Sequence, residues 1–325
     1  MKMIISVIIP LYNKENEIQR AIRSVLAQTI PDFEVIVVND GSTDNSLEQA
    51  QKIADPRVRI ISQENQGVSS ARNNGVAKAK SQWIAFLDAD DEWHPEFLES
   101  LLSLKTQFPN ADLLSSSYTN VNSDGTSRLP RTSTLFSENW SGIITNFIEV
   151  LNVDSPFNSS SFIVNKHTLN KIGGFKKGIQ FGEDVDIWIR LSLQTKIAYI
   201  NKPLSIYHKE AENRACPLYG KSLDVIYPVK TMTHFLRSGK IPEFQRQSAI
   251  EFIANHNLPI AQSNLYYGNT KKAIELIQSC RGTRKHLIKM YWLLLCAQIP
   301  PVILNSLIKF KHNHLNPLFR ISYEE

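Results

Sequence analysis

Three carboxylates directly follow an apolar run at residues 83–87, namely Asp88, Asp90 and Asp91. In an extended chain, positions 88 and 90 point to the same side. Two carboxylates there repel each other unless a cation or hydrogen-bond donors neutralise them. A hard divalent ion, Mn²⁺ or Mg²⁺, held by one or two carboxylates and by phosphate oxygens, would do so. A solvated acidic turn before the helix that begins at Pro95 accounts for the same residues, so the pattern leaves both interpretations open.

Two further polar clusters also follow apolar runs. After residues 35–38, Asp40 has an oxygen that can accept a hydrogen bond from a nucleobase, and Gly41 lets the backbone approach a ligand closely. After residues 6–9, Tyr12 can stack on a base ring and Asn13 can bond to sugar or phosphate. A tight turn at Asp40 and a buried tyrosine at a strand–helix corner are the alternatives.

The elements that position these clusters form an alternating pattern. Continuous apolar or β-branched runs predict strands at residues 4–9, 34–38, 58–62, 83–87 and 112–117, and amphipathic patterns predict helices at 15–28 and 95–107. Strands alternating with helices indicate an α/β fold with a mostly parallel sheet. Ligands of such sheets bind at the carboxyl ends of the strands, where all three clusters fall.

Composition narrows the class of protein. The 325 residues are 42% apolar, enough for one large domain and a smaller addition. Residues 271–320 carry nine Lys or Arg against one acidic residue, whereas residues 1–270 carry 27 basic against 28 acidic residues. This asymmetry argues against a nucleic-acid groove along the whole chain. Three cysteines without a ligand pattern, and a first apolar run too short for a signal peptide, predict a cytoplasmic protein.

The pattern becomes helical from about residue 222. Residues 244–255 and 258–277 predict a helical hairpin with a break near Gly268, and residues 287–310 are strongly apolar. The apolar stretch 292–308 is 17 residues long and interrupted by two prolines, so it is shorter than the ~20 residues that cross a bilayer. It is expected either to lie on the inner, anionic membrane surface between flanking lysines and arginines, or to pack on the preceding domain.

In their order and spacing the clusters resemble the family 2 glycosyltransferases with the glycosyltransferase A fold. The resemblance covers about residues 4–215 and includes the segment 65–75, Gly173-Gly174-Phe175 and the segment 182–191. The fold it implies is Rossmann-like, with a mixed, mostly parallel sheet. It implies a nucleotide-sugar-dependent catalytic domain at residues 1–220, followed by a basic helical region at 221–325.

The resemblance also implies a role for each matching residue. Lys176 and Lys177 stand where the family usually has acidic residues, which affects the acceptor side only. The implied roles are Pro10, Tyr12 and Asp40 around uracil or an equivalent base; Asn13 at the donor; Gly67 and Arg72 near the diphosphate; Asp88 at the ribose or metal; Asp90 as metal ligand; His208 as a further ligand from a closing loop; and Asp184 as general base, with Glu183 beside it.

The chemistry of sugar transfer agrees with these roles. A departing nucleotide diphosphate gains negative charge, which a metal and cationic donors stabilise. The attacking hydroxyl loses its proton to a carboxylate, and Glu183 and Asp184 fit that need. Acidic residues also occur at helix N-termini for reasons of the dipole alone. Trp188, one turn on, can stack on an acceptor sugar, although core packing is the preferred interpretation.

The sequence thus predicts an inverting, metal-dependent transferase. It would move a sugar from a UDP-sugar or related donor to the hydroxyl of a saccharide or lipid-linked acceptor, in polysaccharide or glycan synthesis. An NAD-dependent dehydrogenase is rejected, because the turn after the first strand, PLYNKENE, has no glycine. A catalytically degenerate nucleotide-sugar-binding protein remains the alternative, although it would be expected to lack one of Asp88, Asp90 and Asp184.

Overall fold

The structure, a computed structural model, describes residues 5–179, 181–211 and 224–300. The chain divides into two compact units, Met1–Arg214 and Ala215–Glu325. The described elements of the first unit are β1 (Ile5–Leu11), α1 (Ile18–Leu26), β2 (Phe33–Asp40), α2 (Ser46–Gln51), β3 (Val58–Gln63), α3 (Val68–Lys78), β4 (Trp83–Phe86), β5 (Glu92–Trp93), α4 (Phe97–Gln107), β6 (Ala111–Val121), β7 (Ser127–Arg128), a 3₁₀ helix (Arg131–Leu135), β8 (Ser141–Ile144), α5 (Phe147–Leu151), β9 (Phe162–Asn165), α6 (Lys166–Lys171), α7 (Glu183–Ser192) and β10 (Lys196–His208).

The strands form one mixed sheet in the order β3-β2-β1-β4-β9-β6-β10-β5, with β7 on β6 and β8 on β10. The three longest ladders, β1–β2, β2–β3 and β6–β10, are parallel. The short strand β9 inserts antiparallel between β4 and β6. Neighbouring residues of β1 enter different apolar clusters, Val7 and Ile9 on one face and Ile8 on the other, because side chains alternate along a strand. Both faces of the central strands are therefore buried, as their unbroken apolar runs predicted.

Helix α3 packs unusually close to the central strands. A Cβ at Gly75 would lie 2.4 Å from Cγ2 of Ile8 and 3.2 Å from Cγ2 of Val38, so a residue with a side chain does not fit there. This close packing brings α3, and with it Arg72, against the sheet.

The described part of the second unit is helical: α8 (Tyr227–Arg237), α9 (Glu243–Tyr266), α10 (Thr270–Ser279) and α11 (Leu287–Cys296). The predicted break near Gly268 is confirmed, because α9 ends at Tyr266 and α10 begins at Thr270. The gap between the predicted segments at residues 255 and 258 is wrong, because α9 continues through Pro259. Proline removes one helix hydrogen bond. The buried Leu258 and Ala261 on either side pack with α10, and this burial holds the helix together.

Some sequence-based predictions lie outside the described residues, including residue 4 of the first predicted strand and residues 301–310 of the last apolar run. Across the ranges that are described, no helix has the length and apolar character needed to cross a membrane.

Candidate active site

The loops after β1 and β2 are bound to each other by Asn13. Its Oδ1 accepts from the backbone N–H of Thr43 at 2.8 Å, and its Nδ2 donates to Thr43 Oγ1 at 3.2 Å. Its backbone N–H donates to Ser42 Oγ at 3.2 Å, and Asn13 itself has a φ of 50°. Tyr12 beside it is 45% exposed, while Pro10 lies buried in β1. Asn13 thus holds the two loops together, and the Tyr12 ring stays accessible for the predicted stacking.

Asp40 is buried and holds the segment that leads into α3. Its Oδ1 accepts from Gln63 Nε2 at 2.7 Å and from the Gln66 N–H at 3.0 Å, and its Oδ2 accepts from the Gly67 N–H at 2.8 Å. Gly67 has a φ of 83°, which glycine adopts without strain, and α3 begins after it. A carboxylate has about four acceptor positions, so one is left beyond these three contacts. The predicted hydrogen bond from a nucleobase to Asp40 stays a prediction.

The three carboxylates after β4 have different partners. Asp88 Oδ1 lies 2.7 Å from Arg72 Nη2, and Asp90 Oδ2 lies 2.8 Å from Lys14 Nζ. Asp91 is buried and accepts from Ser160 Oγ at 2.5 Å. Burial, followed by the charges of Asp90 and Asp88, raises the pKa of Asp91 well above its usual value. The contacts of Asp91 are therefore structural, and the roles predicted for Asp88 and Asp90 stay predictions.

Arg72 joins two parts of the site. Its Nη2 pairs with Asp88, its Nη1 lies 3.0 Å from Glu183 Oε1, and its guanidinium lies 5.1 Å from the Phe175 ring centroid. Burial opposes the charge of Arg72, but Asp88, Glu183 and Asp184 together raise its pKa, so it is permanently charged. Because the side chain is almost fully buried, its predicted contact with a diphosphate stays a prediction, and its observed contacts are with carboxylates.

The acidic residues near Gly182 lie in the first turn of α7. Asp186 is fully buried and pairs with Arg190 at 2.7 Å, which takes it out of ligand chemistry. Asp184 is only half-buried as a residue, but its carboxyl group is surrounded by protein atoms. Burial, together with the charge of Glu183 and against that of Arg72, raises the pKa of Asp184 to about 7. A carboxylate with such a pKa is suited to accept a proton at neutral pH.

His208, at the end of β10, lies between two glutamates. Its Nε2 is 2.9 Å from Glu92 Oε1, its Nδ1 is 2.6 Å from Glu210 Oε1, and its backbone N–H donates to Asp91. Both ring nitrogens therefore have carboxylate partners, and metal ligation by His208 would require one of these contacts to break. That role stays a prediction.

Asp88 and Asp90 are the carboxylates that could hold a divalent metal. Within the ranges 5–179, 181–211 and 224–300, no group of three or more His, Cys, Asp or Glu side chains is arranged to hold a metal ion. Asp88 and Asp90 each use one oxygen in the ion pairs above, Oδ1 and Oδ2 respectively, which leaves a second carboxylate oxygen on each. One or two carboxylates completed by substrate phosphates and water are what Mg²⁺ usually receives in proteins. These residues fit a metal that is bound together with a diphosphate.

Sequence reasoning missed the serines that precede β9. Ser160 Oγ accepts from the Asp88 N–H at 3.0 Å and donates to Asp91, while Ser159 Oγ lies 3.4 Å from Asp184 Oδ2. These residues contact both the acids after β4 and the first turn of α7. The available signal was a run of hydroxyl side chains, residues 159–161, directly before a strand. The ion pair of Lys14 with Asp90 was also not predicted, although Lys14 directly follows Asn13.

The alternative role for Trp188 as a sugar-stacking surface is wrong. The side chain is buried and its ring packs edge-on against Phe157 and Phe162, at 5.1 and 6.3 Å between centroids. A helix that covers the sheet turns its large apolar side chains inward. Core packing, the preferred interpretation, is confirmed.

Replacing Arg72 by Met is expected to destabilise the first unit by about 3–5 kcal/mol, the usual cost of breaking a buried ion pair. The partial exposure of Asp88 places the effect toward the lower end of that range. Urea unfolding followed by tryptophan fluorescence measures it, since four of the five tryptophans lie before residue 215. Arg59→Met is the matched control, because Arg59 forms a longer, partly exposed pair with Glu34 at 3.6 Å, for which about 1 kcal/mol is expected. Equal losses in the two variants would contradict a structural role for the buried pairs.

The chain is similar in sequence to known proteins. The sequence model of glycosyl transferase family 2 matches residues 6–173, more than half of the chain. The chain is 36% identical over 206 residues to the chondroitin synthase of Pasteurella multocida (strain Pm70), covering 61% of this chain and 20% of that protein. It is 45% identical over 102 residues to the uncharacterized glycosyltransferase YibD of Escherichia coli (strain K12), covering 31% and 30%. The chain therefore spans less than a third of the length of these relatives.

Two solved structures share the fold. TarS residues 1–349 of S. aureus, solved in complex with UDP-GlcNAc, superposes with a TM-score of 0.68 at 17% identity, covering 96% of this chain and 92% of that one. The mannosyltransferase PcManGT of Pyrobaculum calidifontis, in complex with GDP-Man and Mn²⁺, gives a TM-score of 0.58 at 16% identity, covering 94% and 84%. The mixed sheet with its flanking helices is that of a glycosyltransferase A fold. The chain belongs to glycosyl transferase family 2.

Proposed function

We propose that the protein is an inverting glycosyltransferase that uses a nucleotide-diphosphate sugar as donor and releases UDP. The observation that carries the proposal is the Arg72 bridge. It connects Asp88, at the carboxyl end of β4, to the first turn of α7, where the pKa of Asp184 is raised to about 7. One buried cation thereby connects the proposed diphosphate site to the proposed proton acceptor.

In this proposal Asp184 accepts the proton of the acceptor hydroxyl as that oxygen attacks the anomeric carbon. A single displacement from the face opposite the leaving group inverts the configuration. Tyr12 stacks on the base, and Asp40 and Pro10 border it, at the joined loops after β1 and β2. Arg72 keeps its positive charge near the acids throughout, and the Gly67 N–H at the start of α3 fixes Asp40.

A divalent ion, Mn²⁺ or Mg²⁺, is part of the proposal. Asp90 would hold it, with Asp88 beside it, and His208 would join them only by giving up its contact with Glu92 or Glu210. When bound, such an ion stabilises the charge that develops on a leaving diphosphate. The residues of this chain supply the carboxylate oxygens, and Lys14 places Asp90 by its ion pair.

The substrates are proposed from the relatives. TarS was solved with UDP-GlcNAc, and one relative is a chondroitin synthase. We accordingly propose a UDP-sugar donor, a saccharide or lipid-linked acceptor, and a role in the synthesis of polysaccharide or another glycan at the cytoplasmic face of the membrane. The catalytic domain in this proposal is residues 1–220, and the basic helical region is 221–325.

The proposal is tested with sugar nucleotides. UDP-sugars with Mn²⁺ are expected to raise the melting temperature, because a ligand that binds only the folded state stabilises it by RT ln(1 + [L]/Kd). Transfer of radiolabelled sugar to a saccharide acceptor then separates an enzyme from a degenerate binding protein. Stabilisation without transfer or donor hydrolysis would support the degenerate alternative, and no stabilisation by any sugar nucleotide would contradict both.

A further inference from the structure

Helix α11 has an apolar face with large exposed side chains in the part of the chain that the structure describes. Leu287, Ile288, Tyr291, Trp292 and Leu295 are between 45% and 87% exposed. Their spacing of three and four residues places them together on one side of the helix. Met290, Leu293 and Cys296 lie on the other side and are buried with α9 and α10. The helix is therefore apolar on both its buried and its exposed side, and packing among the described residues of the second unit does not explain the exposed side.

Three exposed cations precede this face. Arg281, Arg284 and Lys285 lie in the short connection from α10 to α11, and residues 276–300 contain no acidic residue. The connection is held by Glu251, which is buried in α9. Glu251 Oε2 accepts from Thr283 Oγ1 and its Oε1 from the Arg284 N–H, each at 2.6 Å. The anchored backbone keeps the three cations at the N-terminal end of the apolar face.

We propose that this surface, defined by the five exposed side chains of α11 and the three cations before it, docks on an anionic lipid membrane. Tyrosine and tryptophan favour the interface between headgroups and acyl chains. A helix with one apolar face and neighbouring cations lies in the plane of that interface. The sequence predicted membrane contact for residues 292–308, whereas the surface proposed from the structure lies within residues 281–295.

The charges of this surface favour an anionic membrane over a second copy of the chain as its binding partner. In a two-fold symmetric dimer, the same surface would meet itself. A second copy would then offer these cations no acidic partner from this surface, since none lies between residues 276 and 300. Lipid phosphates supply the missing negative charge. The proposal does not depend on the donor or on the reaction.

The test is co-sedimentation of the full-length protein with vesicles. Binding is expected to phosphatidylcholine vesicles with about a third of phosphatidylglycerol at low salt, not to pure phosphatidylcholine, and to weaken as salt screens the contact. Ile288→Gln/Trp292→Gln and Arg281→Glu/Arg284→Glu/Lys285→Glu should each reduce the partition at least about tenfold. All five side chains are exposed, so the variants are expected to fold, which circular dichroism checks.

Two matched controls separate the surface from general charge or hydrophobicity. Lys78→Glu/Lys80→Glu/Lys171→Glu makes the same charge change at exposed lysines of the first unit. Phe244→Gln/Tyr267→Gln removes two other exposed aromatic side chains of the second unit. Both controls should bind like the unaltered protein. Failure of the full-length protein to bind anionic vesicles, or normal binding by both surface variants, overturns the proposal. So does a dimer in light scattering that Ile288→Gln/Trp292→Gln converts to a monomer while vesicle binding is absent.

Discussion

Replacement of Asp184 by Asn is expected to lower kcat about 10²- to 10⁴-fold, the usual contribution of a general base. This corresponds to about 3–5.5 kcal/mol of activation free energy. Asparagine keeps the shape of the side chain and can still contact Ser159, but it cannot accept the hydroxyl proton. Because Asp184 does not reach the donor in the proposed arrangement, the affinity for UDP should hold. Steady-state kinetics and calorimetric titration of UDP measure the two quantities.

The pH dependence of the unaltered enzyme follows from the same residue. The pKa of Asp184 is raised to about 7, so the carboxylate is protonated and inactive below that pH. We expect kcat/KM, which reports the pKa values of the free enzyme, to rise with pH toward neutrality and to level off above pH 7. The sign for stability is opposite: because the folded pKa is higher than the unfolded one, this group favours folding below pH 4 and loses that contribution as the pH rises through 7. The melting temperature of Asp184→Asn should therefore fall less than that of the unaltered protein as the pH is raised to 8.

Neighbouring acids provide the controls. Glu183→Gln retains Asp184 but weakens the pair with Arg72, so a smaller loss of kcat is expected. Asp186→Asn leaves Arg190 without its buried partner and should affect stability more than rate. Near-normal turnover by Asp184→Asn would contradict its role and pass the proton transfer to Glu183.

The position of the site was predictable because it depends on local patterns. The apolar runs before Asp40 and Asp88 had to be buried strands, and parallel strands bring their carboxyl ends to one edge. The insertion of β9 was not predictable in the same way. It is four residues long, and its partners in β4 lie some 80 positions earlier in the chain.

The partners of individual side chains were harder to predict than their location. Asn13 and Asp40 were assigned to a ligand, and the structure gives both of them donors or acceptors from neighbouring loops. Asp88, Glu183 and Phe175 contact Arg72 from three separate parts of the chain. No local sequence pattern predicts contacts between such distant residues. Residue types predicted polar chemistry, and tertiary packing decided which partner satisfied each group.

Replacement of Asp90 by Asn is expected to weaken Mn²⁺- or Mg²⁺-dependent binding of UDP strongly and to leave almost no turnover. An amide is a poorer ligand for a hard cation than a carboxylate, and a metal-bridged diphosphate depends on few protein ligands. Calorimetric titration of UDP with and without Mn²⁺ measures the difference. Asp124→Asn, in an exposed turn outside the site, is the control for the charge change and should behave like the unaltered protein.

Asp90 also pairs with Lys14, so the loss of that ion pair must be separated from the loss of a metal ligand. Lys14→Met removes the pair but keeps the carboxylate, and it frees Oδ2 of Asp90. If Asp90 holds the metal, Lys14→Met should retain or strengthen the effect of Mn²⁺ on UDP binding, whereas Asp90→Asn should lose it. If Asp90 serves only to position Lys14, both variants should weaken UDP binding alike, with and without metal. Full metal-dependent binding by Asp90→Asn would rule out the assignment.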